Sequence, residues 1–239
     1  MKKISVALVG LGEVAHRIHV PACRAVAELE LVAACDPDSD RRRSAAATFR
    51  IPQLFENDEK MLSDVSPQIV IVGAPPDTHF AITCRALRSG SHVLCEKPFM
   101  SSVDEADEVI RLAADRKLLL RVNNQYRYMN IYRRTKERLL RGEFGRLFYI
   151  QVWQQMFHPP SLEENWRSTL PRYLLYEFGT HALDLITYFF DALPLSVNMH
   201  MPRVLPECRS DVLVCGTMRF PDERVASLSL NRVSHAPEK

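Results

Sequence analysis

No apolar run in this 239-residue chain is long enough to cross a bilayer as a helix, so an integral helical membrane protein is not expected. The eight histidines form no HxH, HExxH or Cys/His cluster, so no metal site is expected. There is no GxSxG elbow for Ser/His/Asp hydrolysis, and the glycine loop near the N-terminus lacks the lysine of a P-loop. Neither charge dominates: 31 Lys and Arg stand against 29 Asp and Glu, interspersed, for a net +2. The longest basic run, Arg41-Arg42-Arg43, directly follows the acids Asp36, Asp38 and Asp40, so the electrostatic footprint of a nucleic-acid binder is missing. Six cysteines (Cys23, Cys35, Cys84, Cys95, Cys208, Cys215) include no CxxC pair, and four lie in or beside apolar runs, where a thiol behaves as a small hydrophobe. They read as reduced core residues. The opening "MKKISVALVGLGEVAHR" is basic at its start, but its apolar stretch is short and lacks a cleavage site. A cytoplasmic protein is expected. No internal repeat or low-complexity tract occurs.

What is present is an ordinary globular composition, 46% hydrophobic and 25% charged, with length for one or two cores. The first half alternates β-branched runs with helix-length segments: "ISVALV" (4–9), "LELVAAC" (29–35), "QIVIVGA" (68–74), "SHVLCE" (91–96) and "LLLRVN" (118–123) read as strands. Strands apolar on both faces predict a doubly wound parallel sheet with helices on each side, an α/β Rossmann arrangement. "SSVDEADEVIRLAADRKL" opens with a capping signal, Ser101 or Ser102 followed by Glu105. After Asn123 the pattern changes. A basic-amphipathic helix over 127–141 ends at Gly142, a strand follows in "GEFGRLFYIQVWQQMF", and "EFGTHALDLITYFFD" is helical. "DVLVCGTMRF" and "VASLSLNRV" are strands around the turn "PDE". Strands without helices between them predict an α+β unit with a mostly antiparallel, mixed open sheet. The expected domains are 1–123, for a nucleotide, and 124–239, for substrate and oligomer contacts.

Directly after the first strand stands Gly10-x-Gly12-x-x-Ala15, opening a helix through Glu13 and Val14. Gly10 permits the tight turn, Gly12 lets the backbone approach a pyrophosphate at the helix N-terminus, and Ala15 substitutes for the third glycine at the helix–sheet contact. Asp36 ends the second strand at the spacing where a carboxylate accepts from a ribose 2′-OH. That anion would repel a 2′-phosphate, so NAD is favoured over NADP. Against this, one of Arg41, Arg42 and Arg43 is close enough in sequence to neutralise a phosphate, although a solvated helix face explains them better. The bland alternative is a mere strand–helix turn followed by a loop acid.

"HVLCEKPFM" then places Glu96, Lys97 and Pro98 at the carboxyl end of a parallel strand, the edge where ligands bind in open α/β sheets. A lysine there can donate to a substrate hydroxyl or carbonyl, and the proline fixes the backbone that aims it, through a cis bond or otherwise. In "YEFGTHALDL", His181 follows Glu177 by four residues and precedes Asp184 by three, so a helix would carry all three along one side. A histidine beside a carboxylate suits general-base work. Taken alone, His181 reads equally as a satisfied helix histidine and Asp184 as a surface acid.

Over essentially its whole length the chain resembles the Gfo/Idh/MocA family of NAD(P)-dependent oxidoreductases. The resemblance rests on "VGLGEVA", "CDPD", "APPDTHF", "GSHVLCEKPFM", "NQYRYMN", "RGEFGRLFYI", "NWR" and "GTHALDL". It implies that Lys97 binds and polarises the reacting hydroxyl, that His181 removes or returns its proton, and that Glu177 is the third catalytic member. It also implies that Ala74, Pro75 and His79 line the cofactor, and that Glu96 and Lys97 approach the nicotinamide ribose. Arg127 and Trp166-Arg167 would border the cofactor–substrate cleft. Tyr126, Arg127, Trp153 and His158 are the side chains from which substrate specificity would come. Two departures stand out: Glu177 occupies a position where the family commonly has Asp, and family members are usually longer. A shortened sheet would leave an unpaired edge and apolar surface for a partner copy to cover. The resulting expectation is an NAD-dependent dehydrogenase acting on a secondary alcohol of a sugar, cyclitol or similar polyol, assembled as a homo-oligomer through its second-domain sheet. The alternatives are a relative that cleaves glycosidic bonds through transient oxidation, and a non-catalytic nucleotide-binding regulator.

Overall fold

Each of the five apolar runs in the first half forms a strand in the computed structural model, which describes residues 3–157, 172–202, 204–205 and 210–234. The chain divides into two compact units, Met1–Asn123 and Asn124–Lys239. In the first, β1 (Ile4–Val9), β2 (Leu29–Cys35), β3 (Gln53–Phe55), β4 (Ile69–Val72), β5 (His92–Cys95) and β6 (Leu120–Val122) form one parallel sheet of order β3-β2-β1-β4-β5-β6. β3 escaped the sequence reading because three residues carry no period.

Side chains alternate across a strand, so adjacent residues of one run serve opposite cores. Ala7 and Val9 of β1 join Ala33, Cys35, Val70, Val72, Val93 and Cys95 on one side. There they meet α3 (Asp58–Val65), α4 (His79–Arg88) and α5 (Val103–Asp115) through Met61, Ile82, Leu87 and Val109. Val6 and Leu8 face the other way, with Ala34 and Ile71, against α1 (Val20–Ala25), the turn before it, and α2 (Ser39–Phe49). This is why the strands read as unbroken apolar runs. Leu8→Ala here would cost about 2–5 kcal/mol.

Three of the helices, α2, α3 and α5, begin on side-chain caps. Asp38 accepts from the N–H groups of Asp40 and Arg41, Asn57 from Lys60, and Ser102 from Glu105. Glu105 reaches back to the N–H of Ser101, so the expected capping box forms with its return bond displaced by one residue. Cys23, Cys35, Cys84 and Cys95 are buried free thiols and Cys215 is half-buried; Cys208 lies outside the described residues. Burial, with Asp58 and Asp36 adding to it, pushes Cys35 up to about 12, and burial does the same to Cys95.

In the second unit β7 (Tyr149–Gln155), β8 (Ser196–His200), β9 (Leu213–Arg219) and β10 (Val225–Asn231) form a mixed sheet of order β7-β10-β9-β8. β7 runs parallel to β10, and the other pairs are antiparallel. Gly216 is required on β9, since a Cβ there would collide with the Asn198 carbonyl of β8. α6 (Asn130–Leu140) starts three residues later than the sequence predicts, because Gln125–Tyr128 forms a separate 3-10 turn. α7 (Thr180–Phe190) lays Ala182, Ile186 and Phe190 on Val214, Met218, Ala226, Leu228 and Leu230 of one sheet face. From the other face Tyr149 and Trp153 project, both exposed. Among the described residues, no helix is long and apolar enough to cross a membrane.

Candidate active site

At the carboxyl end of β1 the chain turns through Gly10, whose φ is +94°. A Cβ there would stand 2.7 Å from both the Ala74 nitrogen and the Gly73 carbonyl oxygen, so only glycine fits. The Gly10 N–H donates to the Cys35 carbonyl at 2.9 Å and the Leu11 N–H to Asp36 Oδ2 at 2.8 Å, locking the loop to the end of β2. Gly12 is the opposite case, with no heavy atom within 4 Å of the Cβ position. A helix begins at Glu13, passes through a π-helical turn (Ala15–His19), and continues as α1. π-turns inside helices concentrate at functional sites. Ala15 is fully buried and Val14 half-buried, while Glu13 is exposed and pairs with Arg17. Open backbone at Gly12 with a helix N-terminus behind it suits a pyrophosphate.

Asp36 stands where the sequence put it, but it is 3% exposed and already engaged. Besides Leu11, it accepts from the Asp38 N–H at 2.9 Å, and the Arg41 guanidinium lies 3.6 Å from Oδ2. A carboxylate offers about four acceptor positions, so this one still has capacity for a ribose hydroxyl. Arg42 donates to the Asp36 and Pro37 carbonyls and Arg43 pairs with Asp40. Arg41 is therefore the arginine of the three whose charge stands at the carboxylate.

The next two strands end in the other expected loops. Ala74 and Pro75 follow β4. The resemblance puts His79 against the cofactor, yet its ring is fully buried. Nε2 lies 2.9 Å from the Ala74 carbonyl, and Nδ1 lies 2.9 Å from that of Pro98 and 3.3 Å from that of Phe99. The ring holds loops together and presents no edge outward. After β5, Glu96 is also turned inward: Oε1 meets His19 Nε2 at 2.9 Å and accepts from Asn123 Nδ2 at 2.6 Å, and Oε2 accepts from the Lys97 N–H at 3.1 Å. Burial alone would raise this carboxyl, but the bonds from His19, Asn123 and Lys97 outweigh it and hold Glu96 below the ordinary glutamate range. Lys97 is half-buried and its bond to Pro98 is cis. His19 and Asn123 were not singled out from sequence. The signal available for His19 was a polar residue on the apolar side of the glycine-loop helix.

In the second unit His181 is the second residue of α7, 8% exposed, with the Tyr126 ring stacked on it at 4.1 Å and an interplanar angle of 9°. Glu177 belongs to a second π-helical turn (Leu175–Gly179) that runs into α7. Asp184 is no surface acid: Arg127 grips both its oxygens at 2.7 Å and Asn124 adds a bond at 2.8 Å. Arg127 also lies over the Tyr188 ring. Burial, then the charges of Tyr132 and Glu177, push the Tyr126 hydroxyl up. The N-terminal end of this helical stretch is capped by Asp211, which accepts from Leu174 N–H at 2.7 Å and Leu175 N–H at 3.1 Å. Trp153 is exposed on β7. Trp166, Arg167 and His158 lie outside the described residues. Among the described residues, no group of three or more His, Cys, Asp or Glu is placed to hold a metal ion.

Residues 4–124 match the family model described as "Oxidoreductase family, NAD-binding Rossmann fold", and residues 132–239 match the "GFO/IDH/MocA C-terminal domain". The chain belongs to the Gfo/Idh/MocA family. Among family relatives, an uncharacterised oxidoreductase of Schizosaccharomyces pombe is 28% identical over 86% of this chain and 57% of its own length. The 1,5-anhydro-D-fructose reductase of Ensifer adhaerens is 26% identical over 80% of this chain and 56% of its own length. The chain thus spans under three fifths of these relatives. Its fold follows that of myo-inositol 2-dehydrogenase from Lactobacillus plantarum, with a TM-score of 0.87 at 21% identity, covering 98% of this chain and 71% of that one. In this Gfo/Idh/MocA chain the glycine loop follows β1 and the "EKP" segment follows β5, two strands of one parallel sheet.

Proposed function

We propose that this chain takes part in NAD-dependent interconversion of a secondary alcohol and a ketone on a sugar, cyclitol or similar polyol. One observation carries the reading: the open glycine loop, the Ala74-Pro75 turn and Lys97 follow the carboxyl ends of three neighbouring parallel strands, β1, β4 and β5. In an open α/β sheet that edge is where a dinucleotide and its reactant meet. A relative named 1,5-anhydro-D-fructose reductase and a structural neighbour named myo-inositol 2-dehydrogenase support the substrate class. When bound, NAD supplies the nicotinamide carbon that exchanges a hydride with the substrate carbon.

The chain's own residues do the rest. The Gly10–Ala15 loop, with Glu13 and Val14, receives the pyrophosphate, and Asp36 accepts from the adenosine ribose and disfavours a 2′-phosphate. Lys97 donates to the substrate oxygen, and His181, its ring plane fixed by Tyr126, takes or returns the hydroxyl proton with Glu177 adjusting its basicity. Arg127 acts through Asp184, bracing the helix that carries His181, and its remaining guanidinium donors are left to meet substrate. The protein assembles as a homo-oligomer through the uncovered face of the second sheet, and its free thiols suit the cytoplasm.

NADH fluorescence titration combined with a screen of polyols for NAD reduction tests this. Lys97→Ala and His181→Ala are expected to lower turnover by about 10²–10⁴-fold, the usual weight of a proton-transfer or polarising group, with NADH affinity largely kept. Near-wild-type turnover in His181→Ala would remove the proton-transfer role.

A further inference from the structure

Two buried imidazoles bracket Lys97. His19, the last residue of the π-turn behind the glycine loop, holds the Glu96 carboxylate on one side. His79, the first residue of α4, sets Nδ1 2.9 Å from the Pro98 carbonyl on the other side and Nε2 2.9 Å from the Ala74 carbonyl; carbonyls only accept, so the neutral ring donates to one of them, and the Nδ1–H tautomer holds Pro98. Both rings are almost or entirely inaccessible, at 3% and 0% exposed, so neither can touch substrate. Glu96 returns the constraint to the chain by accepting the Lys97 N–H itself, and Asn123 at the end of β6 steadies the same oxygen as His19.

We propose that His19 and His79 are positioning residues for Lys97, clamping the residues on either side of it and thereby coupling the glycine loop and the Ala74-Pro75 turn to the lysine. This rests on the reading of Lys97 as the group that meets the reacting oxygen, and deepens it. A lysine on a four-carbon stem is a poor positioner by itself, because rotamer freedom spreads its ammonium over several ångströms. Holding the backbone on both sides is how a flexible side chain is made to serve one geometry.

The two rings act through different nitrogens, which makes the idea separable from simple stability. Glutamine places its amide near where Nε2 stands and asparagine near Nδ1. His19 grips Glu96 by Nε2, so His19→Gln should preserve the clamp and His19→Asn should break it. His79 grips Pro98 by Nδ1, so the order reverses: His79→Asn preserves and His79→Gln breaks.

The readout is competitive acetylation of the full chain by acetic anhydride, with the Lys97 rate taken relative to exposed Lys117 by peptide mass spectrometry. The expected result is crossed: the ratio shifts by at least about threefold, modest for an ångström-scale displacement, in His19→Asn and His79→Gln, and stays at the wild-type value in the other two. An unchanged ratio in the two breaking variants overturns the proposal, as does an equal shift in all four. Circular dichroism checks each fold. If one breaking variant unfolds, the other pair decides; if both unfold, the histidines are structural and the proposal falls. Protection of Lys97 by saturating NADH in the wild type tests the parent reading separately. Its absence would take Lys97 away from the cofactor while the ratio in the bare chain still judges the clamps.

Discussion

Gly10 and Gly12 show how one motif asks two different things of the same residue type. At Gly10 the backbone is left-handed and a Cβ meets β4's loop at 2.7 Å, so Gly10→Ala strains the fold itself; a loss of about 1–3 kcal/mol is expected, seen as a lower urea midpoint. At Gly12 nothing stands within 4 Å, so Gly12→Val should leave the urea midpoint within about 1 kcal/mol of wild type while NADH binding is lost, because the isopropyl group fills the space the pyrophosphate needs. A variant that still binds NADH would sink the loop assignment. Asp36 mixes the two roles. Asp36→Ala removes the ribose acceptor and also strands the buried Leu11 N–H, at a cost of about 1–3 kcal/mol. Affinity should fall for NADH and NADPH together, with the NADH loss larger. These residues were legible because their chemistry is local: a strand, a turn and an acid about a strand–helix–strand later. His79 was legible in position but not in orientation, since sequence marks a histidine near the edge and packing alone decides whether it faces out or in.

Among the elements, the end of β5 and the start of the helical stretch that leads into α7 are both held by buried carboxylates, with opposite consequences. Glu96 is held below the unfolded glutamate value of about 4.3. The stability it contributes is therefore fully present above that value and is lost as pH falls through the lower folded one. Glu96→Gln should flatten this acid limb in urea unfolding followed by far-ultraviolet circular dichroism. Tryptophan emission would not show it, since both tryptophans, Trp153 and Trp166, lie beyond Asn123. Asp211 is the reverse: burial outweighs its bonds to Leu174, Leu175 and its own N–H and raises its carboxyl. Its protonated form favours folding below the unfolded aspartate value of about 3.9, an advantage lost as pH rises through the higher folded one. At neutral pH Asp211→Ala should cost about 0.5–2 kcal/mol, the worth of an N-cap. No sequence pattern pairs Asp211 with a helix that starts some 36 residues earlier. The same limit hid β8 and the true start of α6: β8 has four exposed residues and only Met199 half-buried, so it shows no alternation, and the 3-10 turn at Gln125–Tyr128 continues the helical period closely enough to be read as part of it.

For the whole molecule the decisive surface is the face of the second sheet that α7 does not cover. Along β7 the outward positions are Tyr149, Gln151, Trp153 and Gln155, and Phe157 follows with a bridge to Val233. Tyr149, Trp153 and Phe157 are thus spaced by four on one side, and Trp153 is 65% exposed. The neighbouring strand offers little to hide them, since β10 places Ser229 beside Trp153 and Ser227 gives Tyr149 only a hydrogen bond at 2.7 Å. Among the described residues β7 is also an edge strand, with one side of its backbone outside the ladder. Aromatic rings aligned on an uncovered sheet are what a self-complementary interface needs, since large rigid side chains bury area at small entropic cost. Trp153→Glu places a charge at the centre of that row and leaves the α7-covered core untouched. In sedimentation velocity the wild type should run as a dimer or larger species, and Trp153→Glu should run as a monomer at the same concentration with an unchanged circular dichroism spectrum. If both sediment alike as oligomers, assembly uses another surface; if the wild type is already monomeric, this face serves no self-association and its aromatics must be explained by another partner.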